Sequence, residues 1–564
     1  MKRESVFHIC TGTYAYASGK YTLNVRLKCA KDDIKGVRVH YINVYDHTSD
    51  RKVAEMHKLR SDEYCDLYET ELFLPGRHFK YFFELDGIDE HIFFTADGFL
   101  KKNVNNKNSF FFPVINEDEI PQFPAWAKGA FVYQIFVDCF FSAKRRQRVN
   151  RTWDELPDHD SVYGGDFDGI VEKLGYIRSL GTEIIYLCPV FRSPSNHKYD
   201  IEDYYAIDEM FGGEEALLRL VNAVHSQGMR LVLDCVFNHM SSNNAIFRNV
   251  VEKGEDSRYK DWFYIYDYPV DTDKGNYDTF AGCVPSMPRL NTSNPEVIDY
   301  LVGSALYWTK KLGIDGWRLD VADEVSVTLW RRFRREILKV NPEALIIGEI
   351  WNHATKWMSG DQVHTVTNYK YRKWLLDFIG GKISAKLFWQ KMAANDMLYK
   401  TPCYDYLINL LGSHDTTRIA EEVGSERAAL ALLMTLAFRG MPLVYYGDEI
   451  GVKGSEDPDN RRPMPWEYAT EENTAYVSTF SELRSEYADI FKSGELNPIP
   501  TTGEVLAFER TCGGQTLKII VNFGKEPYVI GGRRIFGYNA ETKIVTTEKN
   551  DVDCIGKMSF AVYK

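Results

Sequence analysis

The stretch GWRLDVADE, residues 316–324, sets an arginine and an aspartate two positions apart among bulky apolar residues. Read as a strand it alternates faces, so Trp317, Leu319 and Val321 share one face while Arg318 and Asp320 point together to the other. Comparable polar groups close other apolar runs: Asp234, Asn238 and His239 in DCVFNH, Glu349 in GEIW, and His414 and Asp415 in LLGSHDT. A single strand-end aspartate is an ordinary helix cap or ion-pair partner. Gathering Asp320, Glu349 and Asp415 on one rim costs stability, because burial and mutual repulsion drive such groups to protonate. Chemistry is the economical reason to keep them. Two carboxyl groups facing each other across a sugar are what glycoside hydrolysis needs, one ionised at the anomeric carbon and one protonated at the leaving oxygen. Arg318 beside Asp320 predicts that Asp320 is the ionised nucleophile. Glu349, flanked by Ile347, Ile350 and Trp351, is expected to carry the raised pKa and act as acid and base.

Such residues converge only if strand ends do. Eight apolar runs qualify, centred near Tyr133, Tyr186, Val232, Trp317, Ile347, Val366, Ile408 and Val444. Amphipathic stretches such as FDGIVEKLGYIRSLG, EEALLRLVNAVHSQG and NPEVIDYLVGSALYWTKKLG separate them. Near-continuous apolar strands joined by helices predict parallel pairing, and eight such units predict an α/β fold of the (β/α)₈ TIM-barrel kind. In that fold active-site groups sit at the carboxyl ends of the strands, where all of these residues lie. A long gap after the third strand predicts a small insert at about 240–290.

Both flanks of the barrel read differently. YTLNVRLKCA, VRVHYINVYD, YCDLYETELFL and FKYFFELDG alternate with turn residues, as in a β-sandwich. The expected organisation is an N-terminal sandwich over 1–121, a barrel over 122–494 and a C-terminal β-sandwich over 495–564. The chain has 564 residues, 44% hydrophobic, and a formal net charge of −12, which argues against a nucleic-acid backbone as partner. The basic run Lys144-Arg145-Arg146 does not reverse that. No apolar stretch is long enough to span a membrane, and the N-terminus lacks the apolar core of a signal peptide. Ten cysteines without C-x-x-C spacing fit reduced thiols, so a cytoplasmic protein is expected.

At the strand ends the sequence resembles the α-amylase family, glycoside hydrolase family 13, over nearly the whole chain. DCVFNH, GWRLDVADE, GEIW and LLGSHDT resemble its four main motifs, in order, and YGGDFDGI (163–170), SPSNHKYD (193–200) and GMPLVYYGDEIG (440–451) its secondary ones. The resemblance implies Asp320 as nucleophile, Glu349 as acid/base and Asp415 as a third acid that holds ring hydroxyls. It implies sugar contacts from His197, His239, Arg318, Trp351 and His414, stacking by Tyr199, and Asp234 bracing Arg318. The N-terminal domain, SRYKDWFYIYDYP, MPRLNTSNPEV and EDPDNRRPMPW are similar to the neopullulanase, cyclomaltodextrinase and maltogenic amylase group. That likeness adds Asp457 and Arg461 beside the cleft, α-glucan oligosaccharides as substrates, and a homodimer formed through a starch-binding-module-like N-terminal domain. No cofactor is implied for the chemistry. The resemblance leaves calcium possible but puts its site in doubt, because FFSAKRRQRVNRTWDEL is basic where relatives carry oxygen ligands, although Asp166 remains. Cys139 stands where the family usually has arginine, and Asp323 where the group often has asparagine.

Overall fold

A computed structural model describes residues 1–46, 50–102, 104–144 and 148–564. Arg145 and Arg146 of the basic run lie outside the described residues. Two compact units are present. The first comprises Met1–Gln122 with Met358–Asp361 and Lys386–Tyr404, and the second Phe123–Trp357, Gln362–Ala385 and Asp405–Lys564.

Within the second unit all eight expected strands form. They are β1 (Val132–Ile135), β2 (Ile184–Leu187), β3 (Arg230–Cys235), β4 (Gly316–Leu319), β5 (Leu345–Gly348), β6 (Thr365–Val366), β7 (Ile408–Leu410) and β8 (Met441–Tyr445). Every pairing is parallel, in the order β6-β5-β4-β3-β2-β1-β8-β7, and a parallel bridge from Thr367 to Ile408 brings the ends together. Seven of the eight are buried at every residue and β3 is exposed only at Arg230, which is why they read as continuous apolar runs rather than alternating ones. The helices Phe167–Ser179, Pro295–Leu312 and Val327–Val340 begin where Asp166, Asn294 and Ser326 accept a backbone N–H of the first turn. The connection from β5 to β6 departs from the expected alternation: no helix forms between Gly348 and Thr365.

The insert after β3 is also present. It holds the helix Ala245–Lys253 and the hairpin of Thr279–Phe280 with Val284–Pro288, tied back by a bridge between His239 and Arg289. From Glu495 onward the chain forms one seven-stranded antiparallel sheet. Arg510, fully buried in it, donates to the carbonyls of Ala437, Ile490 and Phe491 at 2.9 Å each.

In the first unit a four-stranded and a six-stranded antiparallel sheet enclose a core of Leu23, Val25, Leu27, Val37, Val39, Leu72, Phe79, Tyr81 and Phe83. Each fully buried aliphatic chain there contributes about 1.5–3 kcal/mol relative to exposure. The outlying stretch Lys386–Tyr404 belongs to this unit for a specific reason. Arg26 pairs across strands with Glu69 (Nε to Oε2 2.6 Å), and its other nitrogens donate to the Tyr399 carbonyl at 2.6 Å and the Thr401 hydroxyl at 2.7 Å.

Candidate active site

The opening residues of the sequence lie at the carboxyl end of β4. Trp317 turns outward, donating its indole N–H to the Thr309 hydroxyl at 3.0 Å, while Arg318 turns into the barrel. Parallel register sets Asp234 of β3 directly opposite Arg318. Asp234 accepts from Arg318 Nη1 at 3.1 and 3.2 Å, from Tyr186 Oη at 2.5 Å and from Tyr199 Oη at 3.2 Å. Arg318 also reaches Asp320 Oδ1 through Nη1 (2.7 Å) and Glu349 Oε1 through Nη2 (2.8 Å). One fully buried guanidinium therefore serves three carboxylates.

That sharing corrects the simpler expectation. Burial pushes the Asp320 carboxyl well up; Arg318 pulls it down, and Glu349 and Asp234 push it up again by repulsion. Arg318 therefore orients Asp320 without holding it firmly ionised in the free protein. Nor do the apolar neighbours of Glu349 surround its carboxylate. Its Oε1 also meets the Trp351 indole N–H at 3.3 Å, and its Oε2 accepts the Val321 amide at 3.1 Å. Ile347 instead packs into the barrel core. Val321 holds that amide with φ +43°, a left-handed conformation that a β-branched residue adopts only under strain. Asp320 and Glu349 thus meet on the two terminal nitrogens of one guanidinium.

Asp415 lies across the cleft. Against the upward push of burial, His414 and Arg461 hold its carboxyl below the usual carboxylate range. His414 Nε2 stands 2.9 Å from Asp415 Oδ2 and 2.5 Å from Tyr199 Oη, and its ring stacks on Tyr199 at 5.3 Å and 10°. Burial lowers the His414 pKa, but the charge of Asp415 more than offsets this and raises it overall. Arg461 contacts Asp415 at 3.5 Å and Asp457 at 2.9 Å, which brings both members of that motif to the cleft. His197 and Tyr199 come from the turn between the paired strands Phe191–Arg192 and Asp203–Ile207. Burial lowers His197 to about 4 and His239 to about 3, so both are neutral donors or acceptors at neutral pH. Among the described residues the buried His239 Nε2 has no hydrogen-bond partner. Trp351 is 45% exposed and lies flat on Tyr369, 3.8 Å between centroids and 7° between planes.

These groups surround a cleft of about 480 Å³. Of the residues expected at the site, Asp320, Glu349, Asp415, His197, Tyr199, His239, Trp351, Asp457 and Arg461 line it, while Arg318, Asp234 and His414 form its floor contacts. Sequence reading missed Phe280, Ala281 and Met287, which the insert hairpin contributes, and Val321 and Glu324 after β4. Six carboxylates and the single guanidinium of Arg461 face the cavity, a field that repels anions and favours a developing positive charge. Asp323 is among them, and nothing in the structure explains its replacing asparagine.

Among the described residues, those around Asp166 do not fit a calcium site. Asp166 accepts the amides of Gly169 (2.7 Å), Ala143 (3.3 Å) and Lys144 (3.3 Å), and the Lys144 ammonium pairs with Asp168 at 2.9 Å.

Residues 134–495 match the model of the alpha amylase catalytic domain, and residues 1–116 that of the alpha amylase N-terminal ig-like domain. The chain is 40% identical to Neopullulanase 2 of Thermoactinomyces vulgaris over 93% of its own length and 91% of the relative's. It is 38% identical to a Cyclomaltodextrinase of Thermoanaerobacter pseudethanolicus over 94% of each chain. A solved structure of a Cyclomaltodextrinase superposes with a TM-score of 0.91 at 32% identity, covering all of both chains. With both domain models matched and relatives aligned over more than nine-tenths of its length, the chain belongs to the alpha-amylase family and is a glycoside hydrolase acting on α-glucans.

Proposed function

We propose that this enzyme is a retaining hydrolase of α-1,4-glucosidic bonds in cyclodextrins, maltooligosaccharides or pullulan, with transglycosylation as a second outcome. The observation that carries this reading is the Arg318 fork. Asp320 and Glu349 sit on adjacent nitrogens of one guanidinium, a close pair suited to double displacement rather than to the wider gap that admits a water for inversion. A sugar entering the cleft comes between the two carboxyl groups, Asp320 on the anomeric carbon and Glu349 on the leaving oxygen. Glu349 then protonates the leaving oxygen as Asp320 attacks the anomeric carbon. Glu349 next removes a proton from water, or from another sugar hydroxyl, which frees the glycosyl group from Asp320. Asp415, held ionised, accepts hydrogen bonds from ring hydroxyls and opposes the positive charge of the transition state. His239 offers its free Nε2 to a hydroxyl, and Tyr199 and Trp351 offer ring faces.

The relatives named neopullulanase and cyclomaltodextrinase support the substrate class. The first unit exposes Tyr45, Tyr64, Phe73 and Phe111, which supports a homodimer formed through it and a cleft narrowed towards short or cyclic glucans. All ten cysteines are free thiols, which supports a cytoplasmic setting; among the described residues no helix is long and apolar enough to cross a membrane. Parallel digests of γ-cyclodextrin, pullulan and starch test the substrate assignment. Faster turnover of cyclodextrin than of starch is the expected result, and the reverse order would contradict it.

A further inference from the structure

A second cavity, of about 300 Å³, lies between the loop after β1 and the segment after β8. It shares no lining residue with the catalytic cleft. Its volume falls at the small end of the range for small-molecule sites. Trp153, half-buried, lines it with Leu156 (64% exposed) and Tyr468 (59% exposed). Single exposed apolar side chains are ordinary on a protein surface, but here they converge on one hollow that Pro463 and Pro465 complete.

The walls are already formed. On one side the Glu155 carboxylate accepts the Thr152 amide at 2.6 Å and hydroxyl at 3.0 Å, while Tyr163 donates to the Glu155 carbonyl at 2.8 Å. On the other, Trp466 donates to the Phe140 carbonyl at 2.6 Å, Tyr446 to the Arg462 carbonyl at 2.7 Å, and Asn473 to the Tyr468 carbonyl at 3.0 Å. The charges on the rim cancel: Asp154 and Glu155 against Lys453 and Arg462. Arg462 is moreover committed to Asp459 by contacts of 2.7 and 2.9 Å. An ionic ligand finds no net attraction in such a hollow. A neutral molecule with apolar faces and hydroxyl edges matches it, because aromatic rings cover the faces while Asp154 and Lys453 meet the edges.

We propose that this cavity is a second α-glucan site, separate from catalysis, with Trp153 and Tyr468 as its ring faces; the ligand class rests on the α-glucan reading of the cleft. The test is calorimetric titration of maltotriose into the full-length Asp320→Asn protein, which binds without turning the sugar over. Two sites are expected. Trp153→Ala with Tyr468→Ala should weaken one of them by at least about tenfold and leave the other unchanged. Leu156→Asp, on the open surface where folding is not at stake, should weaken the same site. A single site, lost with Trp351→Ala and indifferent to all three outer substitutions, would overturn the second site and leave the cleft reading intact. A site sensitive only to the outer substitutions would uphold the second site and overturn the cleft reading.

Discussion

Each unit of this protein buries an arginine against carboxylate charge, and the two arrangements differ in their balance. In the first unit Arg26 meets a single carboxylate, Glu69, and the Tyr399 carbonyl and Thr401 hydroxyl occupy its remaining nitrogens. Thr401 in turn donates to Glu69 at 2.7 Å. One charge cancels one charge, and the result is a staple that ties Lys386–Tyr404 to the sandwich. In the barrel Arg318 faces Asp234, Asp320 and Glu349 at once, while among the described residues its Nε has no partner. Burial first, and then the repulsion of Glu349 and Asp234, pushes the Asp320 carboxyl up, a cost that a purely structural ion pair would not carry. Balanced burial stabilises a fold, whereas unbalanced burial keeps a proton available for chemistry.

Substitution should separate these two roles. Asp320→Asn removes the nucleophile and should lower kcat by at least about 10⁴-fold. It also removes one of three competing carboxylates, so the melting temperature should stay level or rise. Near wild-type turnover, or a marked fall in melting temperature, would break the contrast. Glu69→Gln should do the opposite. It leaves Arg26 buried beside a neutral partner and should cost about 3–5 kcal/mol in urea unfolding, while kcat of the folded fraction is unchanged.

Buried histidines sharpen the comparison with a smaller effect that both units share. Burial lowers His8, in the first unit, to about 4 and His239, at the cleft, to about 3. Unfolded histidines take up protons near pH 6.5, so below that pH the unfolded state binds more protons than the folded one. Stability should therefore fall as the pH drops from 7 towards 4, by about 2 kcal/mol per histidine at pH 5. His8→Asn and His239→Asn should each flatten that slope, as read from melting temperature against pH. The smallest effect expected is that of chelation. Dialysis against EDTA should leave activity and melting temperature unchanged, since the Asp166 carboxylate is taken up by backbone amides. A loss restored specifically by calcium would contradict this.

What could be read from the sequence follows the same physics. Parallel strands buried on both faces left long apolar runs, and all eight barrel strands were visible in them. Residues at strand ends have their direction fixed by alternation, which is why Arg318, Asp320, Glu349 and Asp234 meet as their positions suggested. Surroundings set by other parts of the chain were not legible. The neighbours of Glu349 in sequence are apolar, but its partners come from β4 and from a strained amide at Val321. Phe280 and Met287 reach the cleft from a hairpin whose aim depends on the whole insert. The attachment of Lys386–Tyr404 to the first unit depends on Arg26, far away in sequence and unremarkable in composition.

The central claim is that Asp320, on its shared guanidinium, forms the bond to sugar. A fluorosugar that reacts fast and leaves slowly should trap that species, and peptide mapping by mass spectrometry would locate it. One glycosyl group per chain is expected, on the peptide containing Asp320, with release of α-configured product once an acceptor sugar is added. An adduct on Glu349 or Asp415, or no adduct together with a first-formed β-anomer, would contradict it.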